Sequence, residues 1–387
     1  MANGDIIAFN VASFICALFV LEFGADKFID HTAIVARRTG ISQALIGLLT
    51  AGAEWEELVV VIASVARNRS SLAIGNIVGS TISNILGAFS LGLLFHSTSQ
   101  RIVFDRSSKI YSLLLLILTI FVTLLSFLGV RSSWKIFGGV LLALFVIYVA
   151  SVAWAISRGA ITAPELSDSD DDDNSDESDS DSGGGPHPNG VIGNETRPPQ
   201  DAEATSVALP TNTALDAFPA RRESQHRPLH RRRRSLKYHI AFLLLGFISI
   251  CLSGYVLSHA STTISDEIGI SDVLFGVVIL SIATTLPEKF IAVLSGVRGH
   301  AGILVANTVG SNIFLLALCM GIVLVVTAGE FDAGSVNAAE LGVMMASTVA
   351  LTGTIWFGAN WSRWIGGAML MAYVTFLVLE FTLIRKV

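Results

Sequence analysis

The sequence contains few charged residues. Asp, Glu, Lys and Arg make up 14% of its 387 residues, against about 25% in a typical soluble globular domain. The mean hydropathy is correspondingly high, at +0.65. A soluble enzyme is therefore disfavoured, and the composition is typical of a chain whose surface faces lipid.

The few charges are also unevenly distributed. Residues 158–237 hold 15 of the 31 acidic residues and 10 of the 25 Lys and Arg residues. The other 307 residues hold only 16 acidic and 15 basic residues. The formal net charge of −6 therefore describes a charged insert in an apolar body, and it does not indicate a nucleic-acid partner.

Cysteine is scarce as well. Cys16, Cys251 and Cys319 all lie inside apolar runs, so no disulfide framework is indicated. We interpret them as small residues of the core. The first apolar run continues directly into the body of the chain, and we expect no cleaved leader.

Ten apolar runs are long enough to cross a bilayer, whose hydrocarbon core needs about 20 residues per helix. They predict an all-α polytopic membrane protein with ten transmembrane helices. The predicted helices are 5–25, 41–66, 72–96, 108–129, 133–157, 238–260, 270–297, 302–327, 335–358 and 363–384. Five helices precede the insert and five follow it, so the sequence divides into membrane segments 1–157 and 238–387 and a loop 158–237.

The loop combines an acidic run with a basic end. Its acidic part, centred on Asp170–Asp173, has too few apolar residues to bury a core, and we expect it to be disordered. A basic cluster close to a membrane span marks the cytoplasmic side. We therefore expect a cytoplasmic loop and both termini on the non-cytoplasmic side. The same cluster is a candidate contact for anionic lipid, and its residues are Arg231, Arg232, Arg233 and Arg234.

The two membrane segments contain a repeat. Gly75–Ser80 reads GNIVGS and Ala306–Ser311 reads ANTVGS. Glu57 lies 18 residues before the first copy and Glu288 lies 18 residues before the second. Because each half has an odd number of helices, the second half enters the membrane from the opposite side. Two inverted five-helix repeats are typical of transporters, with the binding site near the bilayer midplane.

Glu57 and Glu288 lie within long apolar spans. An uncompensated carboxylate there costs several kcal/mol, so such residues usually have a function. Helix-breaking residues precede each glutamate, Ala51-Gly52-Ala53 in the first repeat and Pro287 in the second. A helix break exposes backbone carbonyl groups that can bind cations, provided that they line a cavity.

Polar side chains accompany the glutamates. Asn76, Ser80 and Asn84 follow one another at intervals of four and form a stripe on one helix face, and the second repeat has Asn307 and Ser311. Carboxylate, hydroxyl and amide oxygens suit hard cations such as Ca²⁺, and no Cys or His joins them. The alternative interpretation of the stripe is ordinary packing between membrane helices.

The doubled motif resembles the alpha repeats of the cation/Ca²⁺ exchanger superfamily, the sodium/calcium exchanger membrane region. The resemblance rests on Thr284–Glu288 with Val309–Ile313, and on Glu57, Gly75–Ser80 and Asn84. It implies that Glu57 and Glu288 bind Ca²⁺ and exchange it for Na⁺ or H⁺, with no cofactor besides the transported ions. It also implies further ligands, namely Ser80, Asn84, Thr284, Thr285 and Ser311, with Glu54, Asn76 and Asn307 as additional candidates.

The sequence departs from the exchanger pattern in both repeats. Leu315 stands where the family usually has Asn or Asp and where the first repeat has Asn84. The first repeat instead contains Glu54, Glu56 and Glu57, and acids one helical turn apart can share protons. In the second repeat, Lys289 lies about 100° round a helix from Glu288, and we expect its side chain to reach the membrane interface.

Three other functions stay open. One is monovalent cation/H⁺ antiport, with Glu54, Glu56 and Glu57 as a proton relay. Another is a transport-inactive member of the family, since Leu315 removes a ligand. The third is a membrane-embedded enzyme that uses paired carboxylates, but the spans contain no Ser/His or Cys/His pair.

Overall fold

The computed structural model describes residues 3–39, 54–96, 102–128, 134–157, 235–328, 336–358 and 361–384. These residues are almost entirely helical. All the described helices belong to one compact unit, formed by Met1–Glu165 and Arg234–Val387. The acidic part of the loop and Arg231–Arg234 lie outside the described residues.

Eleven helices are described, numbered here in chain order. In the first half they are α1 (Gly4–Arg38), α2 (Trp55–Ala66), α3 (Ser70–Leu94), α4 (Arg106–Leu128) and α5 (Trp134–Ser157). In the second half they are α6 (Leu236–Ile268), α7 (Asp272–Thr284), α8 (Leu286–Val297), α9 (Ala301–Thr327), α10 (Ala338–Phe357) and α11 (Ser362–Ile384).

Within the described residues, 8 helices are long and apolar enough to span a membrane, and α7 with α8 forms a ninth, bent span. The prediction for 41–66 begins outside the described residues, and α2 is its described part. Each of the ten predicted positions thus contains a helix. The arrangement is consistent with ten transmembrane helices in two inverted repeats.

The predicted ends of the first and sixth helices were wrong. The prediction 5–25 stopped before Asp26, but α1 continues to Arg38 and has 35 residues. Likewise α6 has 33 residues where 238–260 was predicted. The acids Asp26 and Asp30 do not end α1, because both side chains are exposed. Both helices exceed the length that a perpendicular span needs, so they tilt or extend beyond the hydrocarbon core.

Burial separates central from peripheral helices. In the apolar 18-residue stretch of α3, 89% of the residues are buried, and the corresponding share in α9 is 78%. The share is only 11% in α5 and 22% in α11. The peripheral helices expose large apolar side chains such as Phe19, Ile147 and Trp364. An apolar outer surface around a polar-striped centre is the pattern of a multi-pass integral membrane protein.

The helix contacts follow the two repeats. The fifth helix of the first half, α5, packs on α9, and the last helix of the second half, α11, packs on α3. The pairs α1 with α6 and α4 with α10 each join equivalent helices. The equivalence includes local geometry, because π-helical turns occur at Ser83–Phe89 in α3 and at Phe314–Cys319 in α9. Such turns are frequent at functional sites.

Glycines bring α3 and α7 into close contact. A Cβ atom on Gly276 would lie 2.8 Å from the carbonyl oxygen of Leu72 and 2.9 Å from the backbone nitrogen of Asn76. A Cβ atom on Gly75 would lie 2.8 Å from the carbonyl oxygen of Val273. Small residues at such contacts allow the backbones of membrane helices to touch. This contact holds the polar stripe of α3 against the second half.

Replacing Gly276 with Val is therefore expected to destabilise the protein by about 1–3 kcal/mol, because α3 and α7 must move apart. The measurement is the free energy of unfolding of purified protein in detergent. Gly139→Val is the matched control, because a Cβ atom at Gly139 would have no neighbour within 4 Å. Equal losses in the two variants would contradict the close-contact interpretation.

Candidate functional site

Both glutamates lie at the starts of short helices inside the bundle. Glu57 is the third residue of α2 and Glu288 the third residue of α8. Their side chains are 0% and 7% exposed. The residues that precede the two helices, Glu54 and Thr285, occupy equivalent places. A helix N-terminus carries partial positive charge and stabilises a nearby carboxylate, as in the broken helices of transporters.

The break expected before Glu288 is present. Helix α7 ends at Thr284 and α8 starts at Leu286 at an angle of 48°. Pro287, near the start of α8, suits a first helical turn because its missing N–H would have no partner there. The corresponding segment of the first repeat, residues 51–53, lies outside the described residues.

The polar stripe lies at the centre of α3. Asn76 and Ser80 are fully buried, and Asn84 is 1% exposed. Ser80 is the eleventh of the 25 residues of α3, and buried Ser311 is the eleventh of the 27 residues of α9. The two serines thus occupy equivalent places near the middle of the two most buried helices. Asn307 differs from Asn76, because it is only partly buried.

Most of the predicted ligands carry buried polar atoms without a hydrogen-bond partner among the described residues. Buried polar groups in proteins are nearly always paired, and leaving one unpaired costs about 1–3 kcal/mol. The concentration of such atoms here therefore marks a candidate ligand site. The atoms belong to Glu57, Glu288, Asn76, Ser80, Asn84, Asn307, Ser311 and also Asn312.

Asn312 was not among the predicted site residues. It is fully buried, and neither polar atom of its side chain has a partner in the described part of the chain. It directly follows Ser311 in the second repeat. Its equivalent in the first repeat, Thr81, donates instead to the carbonyl oxygen of Ile77 at 2.8 Å. Comparing the repeats position by position shows a polar residue at this position in both halves, with an amide only in the second.

The two threonines of the predicted set are bonded within the protein. Thr284 Oγ1 donates to the carbonyl oxygen of Leu280 at 3.1 Å. Thr285 Oγ1 lies 2.5 Å from the carbonyl oxygen of Ser281 and accepts a hydrogen bond from Lys289. Both hydroxyls are thus satisfied without an ion, unlike those of Ser80 and Ser311.

The side chains of Glu54, Glu57 and Glu288 interact with one another. Glu54 is 6% exposed, and its charge acts on both Glu57 and Glu288. However, the described residues contain no group of three or more Asp, Glu, His or Cys side chains positioned to hold one metal ion. A divalent ion at this site would thus need hydroxyl and amide oxygens in addition to carboxylates.

The prediction for Lys289 was wrong. Its Nζ does not reach a membrane interface, and it lies 2.9 Å from Ser83 Oγ in the bundle interior. The reason is that a helical side chain points back towards the N-terminus of its helix, and α8 begins inside the bundle. Ser83 and its partner Tyr373 (2.9 Å) were also missed, because nothing local in the sequence associates them with Lys289.

Leu315 is a genuine departure from the symmetry of the site. It lies in the π-helical turn of α9, fully buried in the apolar core. The equivalent Asn84 lies in the π-helical turn of α3 with both side-chain polar atoms unpaired in the described residues. The second repeat therefore presents a hydrocarbon where the first presents an amide oxygen.

The helices and the buried polar centre define a multi-pass membrane protein built from two inverted repeats. Comparison with protein families gives the same result, because the sequence pattern of the family described as sodium/calcium exchanger protein matches residues 9–156 and 238–382. The chain belongs to the sodium/calcium exchanger protein family.

Several curated proteins are similar in sequence. The chain is 26% identical over 342 residues to the candidate antiporter CaxA of Alkalimonas amylolytica, with 86% of each chain covered. It is 23% identical over 331 residues to the inner membrane protein YrbG of Escherichia coli, covering 83% of this chain and 81% of that one. It is 30% identical over 143 residues to the sodium/calcium exchanger MaX1 of Methanosarcina acetivorans, covering 36% of this chain and 39% of that one.

Solved structures share the fold. A structure of the sodium–calcium exchanger NCX_Mj superimposes with a TM-score of 0.53 at 19% identity, covering 96% of this chain and 99% of that one. The structure of native YfkE gives a TM-score of 0.61 at 15% identity, covering 97% and 92% of the two chains.

Ser80→Ala is expected to leave the free energy of unfolding unchanged or to raise it in cation-free buffer, because the lost hydroxyl has no partner among the described residues. The matched control is Ser90→Ala on the same helix. Ser90 is also fully buried, but its hydroxyl donates to the carbonyl oxygen of Gly87 at 2.7 Å, so its loss should cost about 1 kcal/mol. The free energy of unfolding of both variants is measured in detergent with excess chelator. If Ser80→Ala loses as much free energy of unfolding as Ser90→Ala, the assignment of Ser80 to an ion site is contradicted.

Proposed function

We propose that the protein exchanges Ca²⁺ for a monovalent cation across a membrane by alternating access. The observation that carries this proposal is a set of buried oxygens at the centre of the bundle, supplied by both repeats, that have no hydrogen-bond partner in the described part of the chain. Glu57 and Glu288 bind the transported cation. Ser80, Asn84 and Ser311 contribute neutral oxygens.

Calcium fits the chemistry of these residues. Two carboxylates neutralise one divalent ion, and Ca²⁺ accepts six to eight oxygen ligands in a flexible arrangement. Thr284 and Thr285 line the same region, and Glu54, Asn76 and Asn307 are additional candidates. The relatives named as an exchanger or antiporter support transport rather than enzyme catalysis.

The burial of the two carboxylates favours exchange over one-way permeation. Glu57 and Glu288 cannot remain bare and charged in an apolar interior without a cost of several kcal/mol. The protein therefore changes between its two orientations only with Ca²⁺ or with replacement cations bound. The inverted repeats provide the two orientations, since one repeat can move against the other around a fixed site. The orientation of the termini, and lipid contact by Arg231–Arg234, stay predictions.

Glu288→Gln is expected to abolish Ca²⁺ uptake into proteoliposomes while the protein still folds, because the change removes a ligand charge and keeps the side-chain size. Glu267→Gln is the matched control, since Glu267 lies near the end of α6 and accepts a hydrogen bond from the backbone of Asn3. Uptake by Glu288→Gln at the control rate would rule out the assigned role. A wild-type protein that folds and binds Ca²⁺ without transporting it would favour the transport-inactive alternative.

The counter-ion is expected to be H⁺ more than Na⁺. The second repeat has lost an oxygen at Leu315, whereas the first has gained Glu54 and Glu56, and neighbouring carboxylates share protons. A pH gradient should therefore drive Ca²⁺ uptake in Na⁺-free proteoliposomes, and Glu54→Gln should weaken that response. Strict dependence on Na⁺, with no effect of the gradient or of the substitution, would contradict proton coupling. Monovalent cation flux under a pH gradient, without Ca²⁺ flux, would favour cation/H⁺ antiport.

A further inference from the structure

Lys289 places an ammonium group inside the bundle, beside the residues assigned to ion exchange. Its Nζ lies 2.9 Å from Ser83 Oγ, 2.5 Å from Thr285 Oγ1 and 3.1 Å from the Thr285 carbonyl oxygen. An ammonium group has three N–H donors, and these three oxygens accept all of them. Hydroxyl and carbonyl oxygens around a compact single positive charge form the environment that a monovalent metal ion would also select.

Contacts within the described residues occupy the hydroxyl oxygens of both Ser83 and Thr285. Tyr373 OH lies 2.9 Å from Ser83 Oγ, and Ser83 Oγ lies 2.9 Å from Thr285 Oγ1. Ser83 thus accepts from Tyr373 and Lys289 and donates to Thr285. Thr285 accepts from Lys289 and Ser83 and donates to the carbonyl oxygen of Ser281. A hydroxyl oxygen has two lone pairs. Both lone pairs of Ser83 Oγ and both lone pairs of Thr285 Oγ1 therefore accept hydrogen bonds.

The first repeat has a different arrangement at the equivalent positions. Thr285 corresponds to Glu54, because each lies three residues before its glutamate, and Lys289 corresponds to Leu58. At these two positions the first half has an additional acid and the second half an additional base, and Glu56 is a further acid of the first half, where the second half has Pro287. Glu54 and Lys289 act on the same centre, because Lys289 interacts electrostatically with Glu288, Glu57 and Glu54.

We propose that the ammonium of Lys289 is a tethered monovalent cation, which fills the position formed by Ser83 and Thr285 and offsets part of the negative charge of Glu288, Glu57 and Glu54. This proposal rests on the proposed cation exchange and makes it more specific. A fixed positive charge in the site takes the place of one mobile cation. Lys289 thus determines how many monovalent cations the protein must bind in exchange for Ca²⁺.

The test compares Ca²⁺ exchange by wild type, Lys289→Gln and Lys289→Arg in proteoliposomes at set membrane potentials. Lys289→Gln keeps a hydrogen-bonding group but removes the charge. The Hill coefficient for the driving monovalent cation should therefore rise by about one, and the rate of Ca²⁺ exchange should depend differently on membrane potential. Lys289→Arg keeps the charge and should retain the wild-type values. A Hill coefficient and voltage dependence unchanged in Lys289→Gln, whatever its rate, would overturn the proposal.

A double variant tests the charge balance itself. Glu54→Gln combined with Lys289→Gln has the wild-type net charge and should return the Hill coefficient to the wild-type value. If Lys289→Gln transports too slowly for flux measurements, the unfolding temperature of the purified protein is measured with and without the driving cation. A bound ligand raises that temperature. A larger stabilisation in Lys289→Gln than in wild type supports the tethered cation, and an equal one overturns it. Absence of Ca²⁺ exchange in the wild type would instead refute the proposed function.

Discussion

Two carboxylates in the middle of an apolar bundle impose the constraint on which the rest of this structure depends. Glu57 and Glu288 are almost completely buried, where a charge without compensation costs several kcal/mol. The chain offsets part of that cost by placing each glutamate at a helix N-terminus. In the proposed exchange, the remaining compensation comes from cations that bind and leave, and the instability of the empty site couples the movement of one ion to that of the other.

The fold meets this constraint by bringing two inverted halves together at their polar centres. Helices α3 and α9 carry the serines and amides at equivalent depths, and the glycine contact between α3 and α7 brings the first half close to the broken helix of the second. The halves are nevertheless unequal in chemistry. Asn84 has no amide counterpart, because Leu315 occupies the equivalent position. The first half also has the additional acids Glu54 and Glu56, and the second half has the additional base Lys289. An exchanger needs similar geometry in both orientations, but its charge has to balance only over the whole site.

Much of this arrangement could be predicted from the sequence, because membrane burial leaves a strong pattern. Long apolar runs located the helices, the repeat located Glu57 and Glu288, and Pro287 indicated the broken helix. Predictions were wrong where tertiary contacts decide. Charged residues such as Asp30 did not end α1, since they lie on an exposed part of the helix. Lys289 points inward because its Nζ donates to Ser83 of α3, which also accepts a hydrogen bond from Tyr373 of α11. Both residues are distant from Lys289 in sequence.

The central claim is that oxygens from both repeats form one Ca²⁺ site. Its most direct test is the structure of the protein determined with saturating Ca²⁺, using anomalous scattering to locate the ion. An anomalous peak is expected between the carboxylates of Glu57 and Glu288, with oxygens of Ser80 and Ser311 in the coordination shell of the ion. A peak that contacts neither glutamate, or a centre without a peak at saturating Ca²⁺, would contradict the claim.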